Sequence, residues 1–193
     1  MRRAALSMLL PLALSLAACA NGGPQPFVPD TARLAPGELG VGPLDQDVPA
    51  VYFAAWAFAV PSRTYNDPAD AARACADLDY LAGELYTSPR WANLGALTKE
   101  QVLRGRTEER QALGIPPDAP SQLVVDGLAS VANAYAAGNQ AAALDIVSRN
   151  PAFPNPQATL ARLPRLPYMQ MANVGLLKAQ SELFGPGNLE FDE

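Results

Sequence analysis

The 193-residue chain sets 14 Lys and Arg against 19 Asp and Glu, for a formal charge of −5, and holds 36 alanines, 19 prolines and no histidine. Without an imidazole there is no Ser-His-Asp or Cys-His hydrolytic centre, no histidine-ligated zinc or haem and no imidazole proton shuttle. A usual domain needs about 100 to 150 residues, so the length beyond the N-terminal segment suits one core and no second of similar size.

Arg2 and Arg3 precede an apolar run, residues 4–18 (AALSMLLPLALSLAA), that ends in small side chains. This is the three-part layout of a secretory signal peptide. The run contains Pro11 and falls short of the roughly 20 apolar residues a spanning helix needs, so cleavage is expected rather than a permanent span. Its last residues, Leu16-Ala17-Ala18-Cys19, resemble the lipobox of bacterial lipoprotein precursors. The resemblance implies cleavage between Ala18 and Cys19, a diacylglyceryl group on the Cys19 thiol, and often a further acyl chain such as palmitate on the new amine. One buried chain binds a bilayer only marginally, at about 0.8 kcal/mol per CH₂, whereas two or three anchor it stably. Ala20 follows where an aspartate would favour inner-membrane retention. In Gram-negative members of the family that implies the periplasmic face of the outer membrane.

Loss of Arg2 and Arg3 with the signal peptide takes the formal charge from −5 to −7. The only lysines are Lys99 and Lys178 and the arginines are scattered among acids, so no nucleic-acid partner is expected. Residues 20–49 are rich in Gly and Pro without a sustained period and read as a flexible tether with an average span on the order of 30 Å.

From 50 to 60 (AVYFAAWAFAV) every residue is apolar or aromatic, closed by Pro61. Two readings stand: a central helix buried on all sides, or a contact or pocket face made of Tyr52, Phe53, Trp56 and Phe58. Asn66-Asp67-Pro68 reads as an N-cap with proline in the first turn, and Ala71, Cys75, Leu78, Leu81/Ala82 and Leu85 recur at helical spacing. Cys75 falls on that stripe as a core thiol. Asp70, Arg73, Asp77 and Glu84 lie off it, as a solvated, self-paired face.

Thr98 with Gln101 matches a capping box for a helix ending near Gly114. In its charged interior Arg104 is placed to pair with Glu100 and Glu108, and Arg106 with Glu109. Arg90, Arg104, Arg106 and Arg110 form a candidate carboxylate or phosphate cluster, but the interleaved glutamates point instead to a surface helix. After the break at 116–120, Val124, Leu128, Val131 and Tyr135 make one stripe and Ala143, Leu144 and Val147 the next, joined through Gly138-Asn139 as an αα-hairpin. On Gly138, Ala143 and Val147 the hairpin resembles one tetratricopeptide unit. Tyr135 is displaced by one, the early tryptophan is missing, and that architecture needs about three stacked copies where one is found; a generic hairpin is expected. Residues 150–156 read as a rigid loop. Met169, Ala172, Leu176, Ala179 and Leu183 mark a last helix beginning near Pro167 and stopping at Gly185-Pro186.

The expectation is therefore an all-α fold: a signal peptide at 1–18, lipidated Cys19 and tether over 19–49, one domain of five or six helices over 50–185, and an acidic tail at 186–193. No phosphate-binding loop, G-x-S-x-G or Cys-x-x-Cys is present. Asp77/Asp79, Asp45/Asp47 and Glu108/Glu109 are the close acid pairs of the kind glycoside cleavage requires, about 5 to 9.5 Å apart. Such pairs are common on any acidic surface, and Asp45-x-Asp47 lacks the rest of a calcium loop. No catalytic residue, metal ligand or cofactor is assigned. The leading expectation is a non-enzymatic, lipid-anchored accessory or scaffold protein of the cell envelope that acts by contact with an envelope protein partner. The alternative is a periplasmic module for a small apolar ligand or lipid, with residues 52–58 and Met169/Met171 lining its pocket.

Overall fold

A computed structural model describes residues 28–34 and 45–183. The signal peptide, its Ala18/Cys19 junction and the acidic tail lie outside the described residues. Among the described residues there is no strand, and seven α-helices follow one another: α1 (Asp47–Ala59), α2 (Pro68–Thr87), α3 (Ala96–Leu113), α4 (Ser121–Ala136), α5 (Gln140–Arg149), α6 (Pro156–Arg162) and α7 (Gln170–Leu183). The helix beyond the expected five or six is α6, placed in and after the stretch read as a loop. Asn155 caps it by accepting from the Ala158 amide, and Pro156 opens its first turn. Asp67 and Pro68 do the same for α2, where the Asp67 carboxylate accepts from the Asp70 amide at 3.0 Å.

The central helix is α2, not α1. It packs against α1, α3 and α4 together, and Ala71, Cys75, Leu78, Leu81, Ala82 and Leu85 are all at most 1% exposed. With three helices around it, its middle keeps no solvated face. Asp77, expected outside, is fully buried together with Asp79. Arg73 meets no carboxylate within ion-pair distance among the described residues; its guanidinium lies 4.0 Å over the Phe53 ring. Cys75 is a free, buried thiol, pushed well up by burial and by the neighbouring acids Glu109, Asp79 and Asp77.

The start of α3 differs from the expected capping box. Thr98 does not cap its own helix but donates to Glu182 Oε1 of α7 at 2.6 Å, and the other Glu182 oxygen accepts from the Gly95 amide at 2.8 Å. A carboxylate from another helix thus serves the positive end of α3. The far end is as expected: Gly114 sits at φ +74, and the Ile115 amide reaches back to the Arg110 carbonyl at 2.8 Å. Glu108, expected beside Arg104, instead serves α7, accepting from the Met171 and Ala172 amides at 2.8 and 3.3 Å.

Helices α3 and α7 touch backbone to backbone at two glycines. A Cβ on Gly105 would lie 2.7 Å from the Ala172 Cα, and one on Gly175 would lie 2.7 Å from the Val102 amide nitrogen. Gly105→Ala and Gly175→Ala are each expected to destabilise the protein by about 1 to 3 kcal/mol, because backbone cannot step aside as a side-chain tip can. Urea unfolding checks this, and unchanged midpoints for both variants would show that the two helices are less closely seated. The α4–α5 hairpin is present, with Gly138 at φ +70 and the Asn139 side chain capping α5. Val124, Leu128, Val131, Ala143 and Val147 are fully buried.

The tether reading needs correcting where the structure describes it. Residues 28–34 lie against the domain without regular secondary structure, with Ala32 and Leu34 only 5% and 3% exposed. The Asp30 carboxylate accepts from the Ser121 amide at 2.7 Å. Arg33 and Gln122 exchange two hydrogen bonds, backbone to side-chain amide, at 2.9 and 3.0 Å. Gly83 makes room for this strap, since a Cβ there would stand 2.7 Å from the Asp30 carbonyl oxygen. The helical domain also begins at Asp47, not residue 50, with Asp45 accepting from the Asp47 and Val48 amides as its cap. Among the described residues no helix is long and apolar enough to cross a membrane.

Candidate functional site

The aromatic segment divides between core and surface. Phe58 is 6% exposed and belongs to the core, while Trp56 is 41% exposed and Val60 45%. Tyr52 and Phe53 are half-buried. Because α1 rests on α2 and α7, a helix apolar all round must leave part of its circumference uncovered, and Trp56 stands there. Its ring lies 5.5 Å from that of Phe53, with the Arg63 guanidinium 5.6 Å above it. Arg63 also donates to the Trp56 carbonyl at 2.6 Å. The result is a pinned indole facing outward, cheap to desolvate because its conformation is already fixed.

Among the described residues the space on the inner side of α1, toward Met169, is small. The gap bounded by Ala57, Phe58, Leu166 and Met169 holds about 10 Å³, room for one water at most. Met169 is itself core at 3% exposure. Met171 is half-buried at the start of α7.

The second concentration of chemistry is polar and mostly buried. Arg110 grips Asp79 side-on, Nε to Oδ2 at 2.7 Å and Nη2 to Oδ1 at 2.9 Å, with both side chains almost fully enclosed. Burial works against the Arg110 charge, but the Asp79 hydrogen bonds and nearby carboxylates outweigh it and raise its pKa. Arg106 is 8% exposed and donates through Nη1 to the Asp30 carbonyl and to Ser121 Oγ at 2.8 and 3.1 Å. The expected Arg106–Glu109 pair is absent. Glu109 is fully buried, neither of its carboxyl oxygens has a partner, and burial with Asp79 nearby holds its pKa well above the usual range. Of the pairs expected along α3, Arg104 with Glu100 is present at 2.9 Å. The charged helix is therefore only half a surface helix, with Arg106, Glu109 and Arg110 turned into the protein.

A third network fastens α1 to α2. Asp47 accepts from the Tyr80 hydroxyl, from Trp91 Nε1 at 2.9 Å and from Arg90 Nη1 at 3.1 Å, while Arg90 also binds Asp45 at 2.8 and 3.0 Å. Its partners are satisfied, as in a structural staple: Arg90 holds Asp45 below its usual pKa, and burial with the Asp47 hydrogen bond drives the Tyr80 phenol far above its own. The Arg90 of the sequence cluster belongs here and not with the arginines of α3.

These groups offer no evident nucleophile with a base. Ser121 is fully buried, and its hydroxyl accepts from Arg106 and Arg110. Among the described residues no three Cys, Asp or Glu side chains stand where a metal ion would fit. What sequence reasoning missed is the inward turn of α3. The signal available for it was Asp79 on α2, which no partner on its own helix could satisfy. Compared with known proteins, the chain matches no family model, no curated protein and no solved structure.

Proposed function

We propose that the mature protein is a lipid-anchored component of the bacterial cell envelope, held through Cys19, that works by protein contact as an accessory or scaffold. The observation that carries the contact reading is Trp56: a large aromatic, 41% exposed, fixed by Phe53 and Arg63 on a helix otherwise committed to the core. Exposed aromatics of this kind are where interface energy concentrates. Val60, just past the end of α1, is a second exposed apolar side chain. The resemblance of residues 16–19 to a lipobox supports the anchor.

In-cell cross-linking and purification of the lipidated protein tests both parts. Trp56→Ala is expected to weaken capture of a stoichiometric partner at least about tenfold, with circular dichroism showing that the variant is still folded. A partner retained undiminished by Trp56→Ala sinks the contact site. Cys19→Ala is expected to leave the protein unprocessed or soluble, and a variant that is still cleaved and membrane-bound sinks the anchor.

A further inference from the structure

A half-open cleft of about 350 Å³ lies along the outer side of α3, lined by Glu100, Leu103, Arg104, Arg106, Thr107 and Pro117, with Arg110 behind. Its floor is unusual in one respect. Arg106 is more than nine-tenths buried, yet only Nη1 is engaged, by the Asp30 carbonyl and Ser121 Oγ. Nε and Nη2 have no hydrogen-bond partner among the described residues. No carboxylate of the described residues comes within ion-pair distance of this guanidinium, in contrast to Arg110, whose five N–H groups are all used. The strap and Ser121 hold Nη1, which fixes the plane of the group and leaves the Nε/Nη2 edge as a preset two-pronged donor.

We propose that this cleft is a binding site for a carboxylate attached to a small apolar body, taken side-on by the Nε/Nη2 edge of Arg106 with its body against Leu103 and Pro117. A planar carboxylate matches the two parallel donors of a guanidinium edge. The charge balance favours a single negative charge over two: Arg104 at the rim is already paired with Glu100 at 2.9 Å, and Asp79, Glu109 and Asp30 act on Arg106 from beyond ion-pair distance. The volume falls at the small end of ligand sites, which run from about 300 to 1,000 Å³. Burial also lowers the Arg106 pKa, and an anion at its open edge relieves that cost. The carboxylate comes either from a free small acid or from the last residue of a polypeptide. The site is independent of Trp56.

Titration of the full mature protein with benzoate, inorganic phosphate, and a short peptide ending in leucine, with free or amidated C-terminus, tests this by NMR shift mapping. Saturable binding of benzoate or the free-acid peptide, centred on α3 and weakened at least tenfold by Thr107→Glu, is the expected result. Thr107 is exposed, so this variant places a competing carboxylate at the site without disturbing Nη1. Arg106→Gln should likewise abolish binding, its fold checked by circular dichroism. Tighter binding of the free-acid peptide than of benzoate, lost on amidation, identifies a chain terminus as the source; benzoate binding alone identifies a small acid. Phosphate binding more tightly than either carboxylate overturns the ligand class. Absence of saturable binding, or binding indifferent to Thr107→Glu, overturns the site.

Discussion

Arg110→Ala is expected to destabilise the protein by about 3 to 5 kcal/mol, the range for removing one partner of a buried ion pair. All five donors of Arg110 are committed: three N–H bonds go to Asp79 and Ser121, and Nη1 reaches the Pro117 and Ala119 carbonyls at 2.9 and 2.8 Å. Truncation leaves the fully buried Asp79 without its countercharge and frees the loop that leads into α4. For a domain of this size the melting temperature should fall by on the order of 10 °C. Arg110→Lys should recover little, because a single ammonium cannot satisfy carboxylate, hydroxyl and two carbonyls in one plane. Replacing both partners with apolar residues, Asp79→Leu with Arg110→Met, should cost less than Arg110→Ala alone, since no orphaned charge remains. Thermal and urea unfolding of the three variants decides it, and a loss below about 1 kcal/mol for Arg110→Ala would place the pair among ordinary surface bridges.

Stability should also fall as pH rises through neutrality, and two acids account for it. Asp77 and Glu109 are fully enclosed, and none of their four carboxyl oxygens has a hydrogen-bond partner. Burial raises both pKa values well above normal. Arg73 opposes the shift at Asp77; at Glu109, Asp79 adds to it while Arg110 and Arg106 oppose it. In the folded protein both are therefore protonated in conditions where the unfolded chain has released the protons. The sign follows from linkage: with a raised folded pKa, the stabilising contribution is complete below about pH 4 and is lost as pH climbs toward the folded value. Each acid contributes up to about a tenfold fall in the folding constant per pH unit across that window. Asp77→Asn and Glu109→Gln should each flatten the profile, and the double variant should exceed the parent in stability at pH 8 by more than at pH 5. A parent protein whose unfolding midpoint is level from pH 5 to 8 would mean that these acids are ionised in the fold.

The helical pattern was readable because apolar periodicity and proline–cap pairs are local. Ala71, Cys75, Leu78 and Leu85 announce α2, and Gly114 and Gly138 mark their turns by the positive φ only glycine adopts easily. The neighbours of each helix were not readable. Whether the face of α2 holding Asp77 meets water depends on three other helices arriving around it, and no residue nearby in sequence records that. Thr98 looked like a cap on its own helix because its true partner, Glu182, lies 84 residues away. Of the expected aromatic site, Trp56 is at the surface and Phe58 is not; an all-apolar helix carries no polar side to say which residue faces outward. Asn155-Pro156 was a local signal of the same kind as Asp67-Pro68, obscured by the proline density around it.

The docked strap has a consequence for the anchor proposed at Cys19. Between Cys19 and Val28 there are nine residue steps, which reach at most about 30 Å however they are arranged, and the chain enters the folded body at a fixed place beside Arg106 and the start of α4. With the proposed anchor at Cys19, a leash that short would turn the same end of each copy toward the bilayer and confine the domain to a thin layer above it. Encounters with the proposed partner in that layer would then take place between bodies already oriented, so the search would reduce from tumbling in three dimensions to sliding and turning in a plane.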